Sequence, residues 1–249
     1  MAVTDLFDLT GKVALITGGS RGLGKEMALA FAEQGADVVI TSRKIESCEE
    51  VAASVEALGR QAMAYACHVA HWDELDGLVD AAYNRFGKVD ILVNNAGMSP
   101  LYPTLLDVNE KLWDAVLGVN LKGPFRLSAL VGTRMAEGDG GSIINVSSTA
   151  SMHPGAGTAP YAAAKSGLNA LTEALARALG PKVRVNTLMP GPYLTDISKA
   201  WDMESAPDRF KTKSLQRAGN PSEIVGAALF LASDASSYTT GSIVRSDGH

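Results

Sequence analysis

Short apolar runs alternate with longer amphipathic ones along the whole chain. Seven runs read as strands: KVALITGG (12–19), DVVITSR (37–43), QAMAYAC (61–67), VDILVNNAG (89–97), GSIINVSS (141–148), VRVNTLMPG (183–191) and SIVRSDG (242–248). Several are nearly continuous Val, Ile and Leu, as in strands covered on both faces of a parallel sheet. Between them, apolar positions recur at helical spacing over 23–34, 44–58, 72–86, 109–137, 160–179 and 221–232. Gly35, Gly59, Gly87 and Gly180 each follow a helical run and precede a strand, where a left-handed glycine closes a helix. The run from 109 to 137 is too long for one plain helix, and Gly118, Gly123 and Pro124 are expected to kink or split it near Asn120. There is no internal repeat, low-complexity segment or linker. The pattern predicts one doubly wound α/β domain spanning residues 1–249. Ligands of such sheets bind beyond the carboxyl ends of the strands, so the candidate chemistry is sought there.

The first strand ends in TGGSRGLG, Thr17 to Gly24. Glycines at 18, 22 and 24 allow a tight turn and close approach to a pyrophosphate, with the amides of the next helix aimed at the anion. A glycine-rich turn without a ligand is the plainer alternative, since the motif alone is weak. The second strand ends in Ser42-Arg43-Lys44. A chain selecting NAD usually carries an acidic residue here, about 20 residues after the glycines, for the ribose 2′-hydroxyl. This one has a hydroxyl and two cations, with Arg21 in the nearby loop, which suits a 2′-phosphate. The expected cofactor is therefore NADP(H), with NAD(H) as the alternative. The third strand runs into Cys67-His68-Val69, and the fourth into NNAG, Asn94 to Gly97, either turn chemistry or a wall of the cofactor cleft. His68 and His71 lack the further ligands of a metal site, so no metal is expected. The fifth strand ends in Ser147-Ser148; Tyr161 follows Ser148 by thirteen residues and Lys165 by four more.

Composition changes little. A net charge of −5 and a pI near 5.4 give no support for nucleic acid or an anionic membrane as partner. Two cysteines, Cys48 and Cys67, are too few for a disulfide framework. With no signal-peptide pattern and no apolar run of spanning length, the expected location is cytoplasmic.

Taken together, TGGSRGLG, NNAG, Asn120, Ser148, YAAAK and NTLMPGPYLT, in this order and spacing, resemble the short-chain dehydrogenase/reductase family, in its branch of about 250 residues. The resemblance covers essentially the whole chain. It implies a Rossmann-type, seven-stranded parallel sheet flanked by helices, assembled as a tetramer or dimer. It assigns Ser148, Tyr161 and Lys165 to a catalytic triad and Asn120 to a fourth catalytic position. It places Gly18, Ser20, Arg21, Gly22, Leu23 and Gly24 at the pyrophosphate. Ser42 and Arg43 then sort NADP from NAD, and His68 and Val69 lie by the adenine. Asn94, Ala96 and Gly97 lie beside the adenosine ribose, and Pro190, Gly191 and Thr195 hold the nicotinamide carboxamide. Two positions depart from the family pattern: His68 stands where many relatives have an Asp that contacts adenine, and SDGH replaces a more usual DGG near residue 249.

The implied activity is hydride transfer between nicotinamide and a carbonyl or secondary alcohol, in the style of 3-oxoacyl-acyl-carrier-protein reductases or general carbonyl reductases. A free tyrosine titrates near 10. Residues four apart share a helix face, so Lys165 is expected to bring an ammonium to the Tyr161 phenol and lower its pKa by about 1–3 units. Tyr161 then acts as general acid/base and Ser148 steadies the substrate oxygen. Asn120 is expected to hold a water linking Lys165 to solvent. A non-catalytic dinucleotide sensor is the alternative function; a sugar-nucleotide epimerase is disfavoured by length and glycine spacing. The segment 193–214, with Trp201, Met203 and Phe210, is expected to cover the substrate, with Met98, Met152, His153 and Tyr193 facing it.

Overall fold

A computed structural model describes residues 3–195, 210–211 and 213–249. The strands are β1 (Val13–Thr17), β2 (Asp37–Ser42), β3 (Ala62–Ala66), β4 (Ile91–Asn94), β5 (Gly141–Val146), β6 (Val183–Pro190) and β7 (Ile243–Ser246). They form one seven-stranded sheet in the order β3-β2-β1-β4-β5-β6-β7, with every neighbouring pair parallel. The helices are α1 (Gly22–Glu33), α2 (Ile45–Ala57), α3 (Trp72–Phe86), α4 (Glu110–Leu117), α5 (Gly123–Glu137), α6 (Ala159–Leu179) and α7 (Val225–Ala232). Each falls on one of the runs of helical spacing, with α1 and α6 starting one residue earlier than the pattern.

Alternate residues of each central strand feed two apolar layers. Ala14, Ile16, Val38, Ile40, Ile91 and Val93 pack on one face with α1, α2 and α7. Leu15, Val39, Leu92, Ile143 and Val185 pack on the other with α3, α5 and α6. This double cover is why β1 and β4 contain no polar alternation: every residue in both is buried. The strand order reverses between β1 and β4, which opens a crevice at their carboxyl ends. Among the described residues, no helix is long and apolar enough to cross a membrane.

One local expectation needs correction, and a second is met in a form the sequence does not specify. Gly35, Gly59 and Gly87 are left-handed, but Gly180 is extended, with φ −64° and ψ 158°. The ring of Pro181 accounts for this, because it drives the preceding residue out of helical and turn conformations. The run from 109 to 137 does split near Asn120, between Gly118 and Gly123, as expected. Residues Gly118–Lys122 form a π-turn, closed by a Gly123 amide that donates to the Gly118 carbonyl. Gly123 answers to a neighbour: a Cβ there would run into the backbone carbonyl of Val69. Pro124 sits in the first turn of α5, where its missing N–H costs nothing.

This contact yields a test of packing. Gly123→Ala must push α5 off the 69–70 loop and is expected to destabilise the protein by about 1–3 kcal/mol, seen as a lower urea midpoint. Gly59→Ala has open space around it and carries only the strain of its positive φ, so Gly123→Ala is expected to show the larger loss.

Candidate active site

At the crevice, β1 and β4 are joined beyond their ladder by side chains. The Thr17 hydroxyl accepts from the amides of Asn95 and Ala96, both at 3.0 Å. The Asn95 amide group donates to the carbonyls of Thr17 (2.9 Å) and Gly18 (3.1 Å). Helix α1 starts directly above. A Cβ on Gly24 would strike the Gly18 carbonyl and the Asn95 amide, so only glycine lets the helix descend this far. No side chain caps α1 at Arg21, so its first-turn amides, of Gly22, Leu23 and Gly24, face outward as an anion-binding end. Ser20 is half-buried and Arg21 exposed at the rim. Thr195, after β6, lies within 3.5 Å of where a Gly22 Cβ would stand. The cradle fits a dinucleotide pyrophosphate.

At the end of β2, Ser42 shares its hydroxyl with the Cys48 thiol (3.1 Å) and donates to the Lys44 carbonyl (3.3 Å). Arg43 is exposed, and its charge is felt at His68. His68 stacks on His71 with centroids 4.5 Å apart, and Glu74 accepts from the His68 amide and pairs with His71. Burial first, then the charges of His71 and Arg43, push the His68 pKa down. Among the described residues, no group of three or more His, Cys, Asp or Glu can hold a metal.

Two residues expected at the cofactor, Val69 and Asn94, have their side chains in the core. Val69 is 7% exposed, with its side chain in the α3/α5 layer. Asn94 points into the core, donating to the Ser128 hydroxyl and to Asn145 Oδ1. Asn94 is the last residue of β4 and the pleat turns it inward, whereas Val69 lies in the connection beyond β3. Only the backbone of these residues borders the crevice. Tyr193, expected to face substrate, is buried with its hydroxyl 2.6 Å from the Ser246 hydroxyl. Met98 packs partly buried against the second layer, while Met152 and His153 are exposed. Trp201 and Met203 lie outside the described residues. Asn95 was not among the expected site residues, although it is what ties the two loops together.

Ser148, Tyr161, Lys165 and Asn120 converge at the end of β5. Ser148 is extended, and its Oγ accepts from the Ala150 amide at 3.2 Å. Lys165 is 2% exposed, with Nζ donating to the Val146 carbonyl at 2.7 Å and lying 5.8 Å from the Tyr161 ring centre. Asn120, fully buried in the π-turn, donates to the carbonyls of Met98 (2.8 Å) and Val116 (2.9 Å) and accepts from the Met98 amide (3.3 Å). Gly97 is wedged between Asn120 Oδ1 and Lys165 Nζ. At the end of β6, Gly191 follows Pro190, and its amide donates to the Ser246 carbonyl at 3.0 Å.

The electrostatics of the pair run opposite to expectation. Burial pushes the Tyr161 phenol up, and the Ser148 hydroxyl only partly opposes it. Burial pulls Lys165 down to about 7. The ammonium is turned to a backbone carbonyl, so desolvation outweighs attraction between the two side chains. Folding is linked to this shift. Between about pH 7 and the ordinary lysine value of 10.5 the unfolded chain keeps the proton and the folded chain releases it, so stability rises with pH. In the ligand-free protein, Lys165→Met is expected to abolish this rise. Urea midpoints from pH 6 to 10 measure it: the parent should lose ground to the variant as pH falls, and parallel curves would contradict the assignment.

Comparison with known proteins agrees with this arrangement. A family model described as short chain dehydrogenase matches residues 12–206. The 3-oxoacyl-[acyl-carrier-protein] reductase FabG of Thermotoga maritima is 36% identical over 241 residues, covering 96% of this chain and 98% of its own. A 7α-hydroxysteroid dehydrogenase solved with NADH and 7-oxo glycochenodeoxycholic acid superposes with a TM-score of 0.95 at 36% identity, covering 100% of this chain and 97% of its own. An NADPH-dependent 3-quinuclidinone reductase from Rhodotorula rubra gives 0.94 at 30% identity, with 99% and 94% covered. With the family model spanning residues 12–206 and a relative 36% identical along nearly the whole chain, the chain belongs to the short-chain dehydrogenase family.

Proposed function

We propose that the protein is an NADPH-dependent reductase of ketones with an apolar flank, Tyr161 supplying the proton. The observation that carries this reading is the meeting of Ser148, Tyr161 and Lys165 at the strand end facing the glycine cradle. When bound, the nicotinamide supplies a hydride to the carbonyl carbon. The protein must then deliver a proton to the oxygen. Tyr161 remains a phenol through neutral pH, which is the form an acid needs. Ser148 Oγ already accepts from Ala150, which leaves its hydrogen available for the substrate oxygen. Lys165, near 7, exchanges its proton readily at neutral pH and can restore that of the phenol. Asn120 has its amide engaged with Met98 and Val116, so its part is to hold the Gly97–Met98 backbone against Lys165.

The choice of cofactor is local, since the two structural neighbours differ: one was solved with NADH and the other is NADPH-dependent. Here no carboxylate follows β2, and the exposed Arg43 stands with Arg21 near by. Pro100, Leu112, Val116 and Pro160 gather beside Tyr161, apolar surroundings that favour an apolar group next to the carbonyl. A 3-oxoacyl thioester, the substrate class named for the Thermotoga relative, meets that requirement.

The test is an NADPH-depletion screen across acyl thioesters, quinones, sugars, steroids and small ketones; tight NADPH binding without turnover of any would favour a sensor instead. Tyr161→Phe is expected to lower kcat by about 10²–10⁴-fold, with NADPH affinity near that of the parent; appreciable residual turnover would refute the role. Because the acid form is required, reduction should stay level through neutral pH and fall only in the alkaline range, while oxidation climbs there. Arg43→Ala is expected to weaken NADPH by about 10- to 100-fold, the equivalent of one charge-assisted hydrogen-bonded pair, and NADH far less. Equal losses, read by titrating each cofactor, would show that Arg43 does not meet the 2′-phosphate.

A further inference from the structure

Helix α6 carries both Tyr161 and Lys165, yet its own sequence does not cap it. Thr158 at the N-cap position makes no side-chain bond to the helix. Its hydroxyl is turned back, donating to the Gly155 carbonyl (3.0 Å) and accepting from the Gly155 amide (3.3 Å). Pro160 has no N–H to offer. The first amide of the helix, of Ala159, donates at 2.8 Å to the phenolic oxygen of Tyr102, 57 residues earlier. The same hydroxyl donates to the Ala156 carbonyl at 2.9 Å. One oxygen therefore closes the turn before the helix and begins the helix, two residues ahead of Tyr161. Accepting and donating at one hydroxyl strengthen each other.

Tyr102 and Tyr161 also border the same small depression, together with Thr158 and Pro160. It belongs to the stretch leaving β4, whose Asn95 grips the glycine loop and whose Met98 is held by Asn120. A displacement at Ala159 passes directly to Tyr161 through one residue of helix. Nothing comparable connects it to the glycine cradle, which Asn95 holds separately.

We propose that Tyr102 is a positioning residue for Tyr161: its hydroxyl is the N-terminal anchor of α6 and fixes where the phenol of Tyr161 stands against the substrate carbonyl. This rests on Tyr161 being the proton donor. The test is Tyr102→Phe, which keeps the ring and removes one oxygen from a half-buried side chain. In the full chain with NADPH, acetoacetyl-CoA and ethyl acetoacetate serve as probes, whichever the parent reduces faster. The expected loss in kcat is about 5- to 20-fold, the rate equivalent of a lost hydrogen-bond anchor. The solvent deuterium isotope effect on kcat should rise, because proton delivery becomes more limiting. KM and the NADPH dissociation constant should stay within about twofold, the ordinary scatter for an untouched contact. Hydrogen exchange of the peptide around Ala159 should quicken in the resting protein, a readout independent of turnover.

A parent-like kcat and isotope effect, or unchanged exchange at Ala159, would overturn the proposal. So would a parallel loss of NADPH affinity, which marks general loosening. Tyr161→Phe measured alongside separates the two readings. If it is inactive while Tyr102→Phe matches the parent, only the anchor fails; if it remains active, the assignment of the proton donor fails first.

Discussion

The bond between Asn95 and the turn after β1 is the constraint from which the site is built. The β1–β4 ladder ends at the pair Ile16 and Val93. Beyond it, two strands diverging at a switch point would splay apart. Thr17 and Asn95 prevent that with four hydrogen bonds between loops. The glycine at 24 follows from the same bond, because α1 comes to rest on the Gly18 carbonyl and the Asn95 amide. Further along the same stretch, Met98 is clasped by Asn120, and Tyr102 meets the start of α6. A run of eight residues after β4 thus sets the cradle, the π-turn and the helix of Tyr161 in relation to one another.

The charges are arranged as a consequence of this close assembly. Lys165 is sealed under the loop that Asn120 holds, with its amine on a strand-end carbonyl. Tyr161 is tightly enough enclosed that the phenolate is disfavoured. Each group is pushed toward its uncharged form, and for the same reason: water has been removed from both. The resting pair therefore suits protonation of a substrate better than abstraction from one.

The fold was legible because parallel strands buried on both faces leave a mark that single residues cannot blur, as in VALIT and ILVN. The convergence of Ser148, Tyr161 and Lys165 was legible from spacing, since one strand end and one helix carry all three. Other features depend on neighbours that sequence does not announce. Gly123 resembles a helix breaker until the Val69 carbonyl is seen beside it. Gly180 resembles a helix cap, yet the adjacent proline overrides it. Asn94 and Asn95 are indistinguishable as letters, and the pleat sends one into the core and the other to the glycine loop. The direction of the Lys165 and Tyr161 shifts depended on where the amine points, which i, i+4 spacing leaves open.

The π-turn at Gly118–Lys122 has a further consequence, in rotational phase. Val116 and Leu127 are eleven residues apart, which in an unbroken α-helix is just over three whole turns and places both on one face. The extra residue in the turn rotates α4 against α5 by about 100°. Leu127 and Val131 then pack on the sheet, while Val116, buried but in neither apolar layer, joins Leu112 on the crevice beside Tyr161. One helical run with a single apolar stripe thereby serves two surfaces. Removing one residue between Gly118 and Lys122 would restore regular helical hydrogen bonding and leave the two faces in their present relation, because the π-turn does no more than absorb that extra residue. Here the irregular backbone, rather than any side chain, lets one run of sequence serve both the sheet and the surroundings of Tyr161.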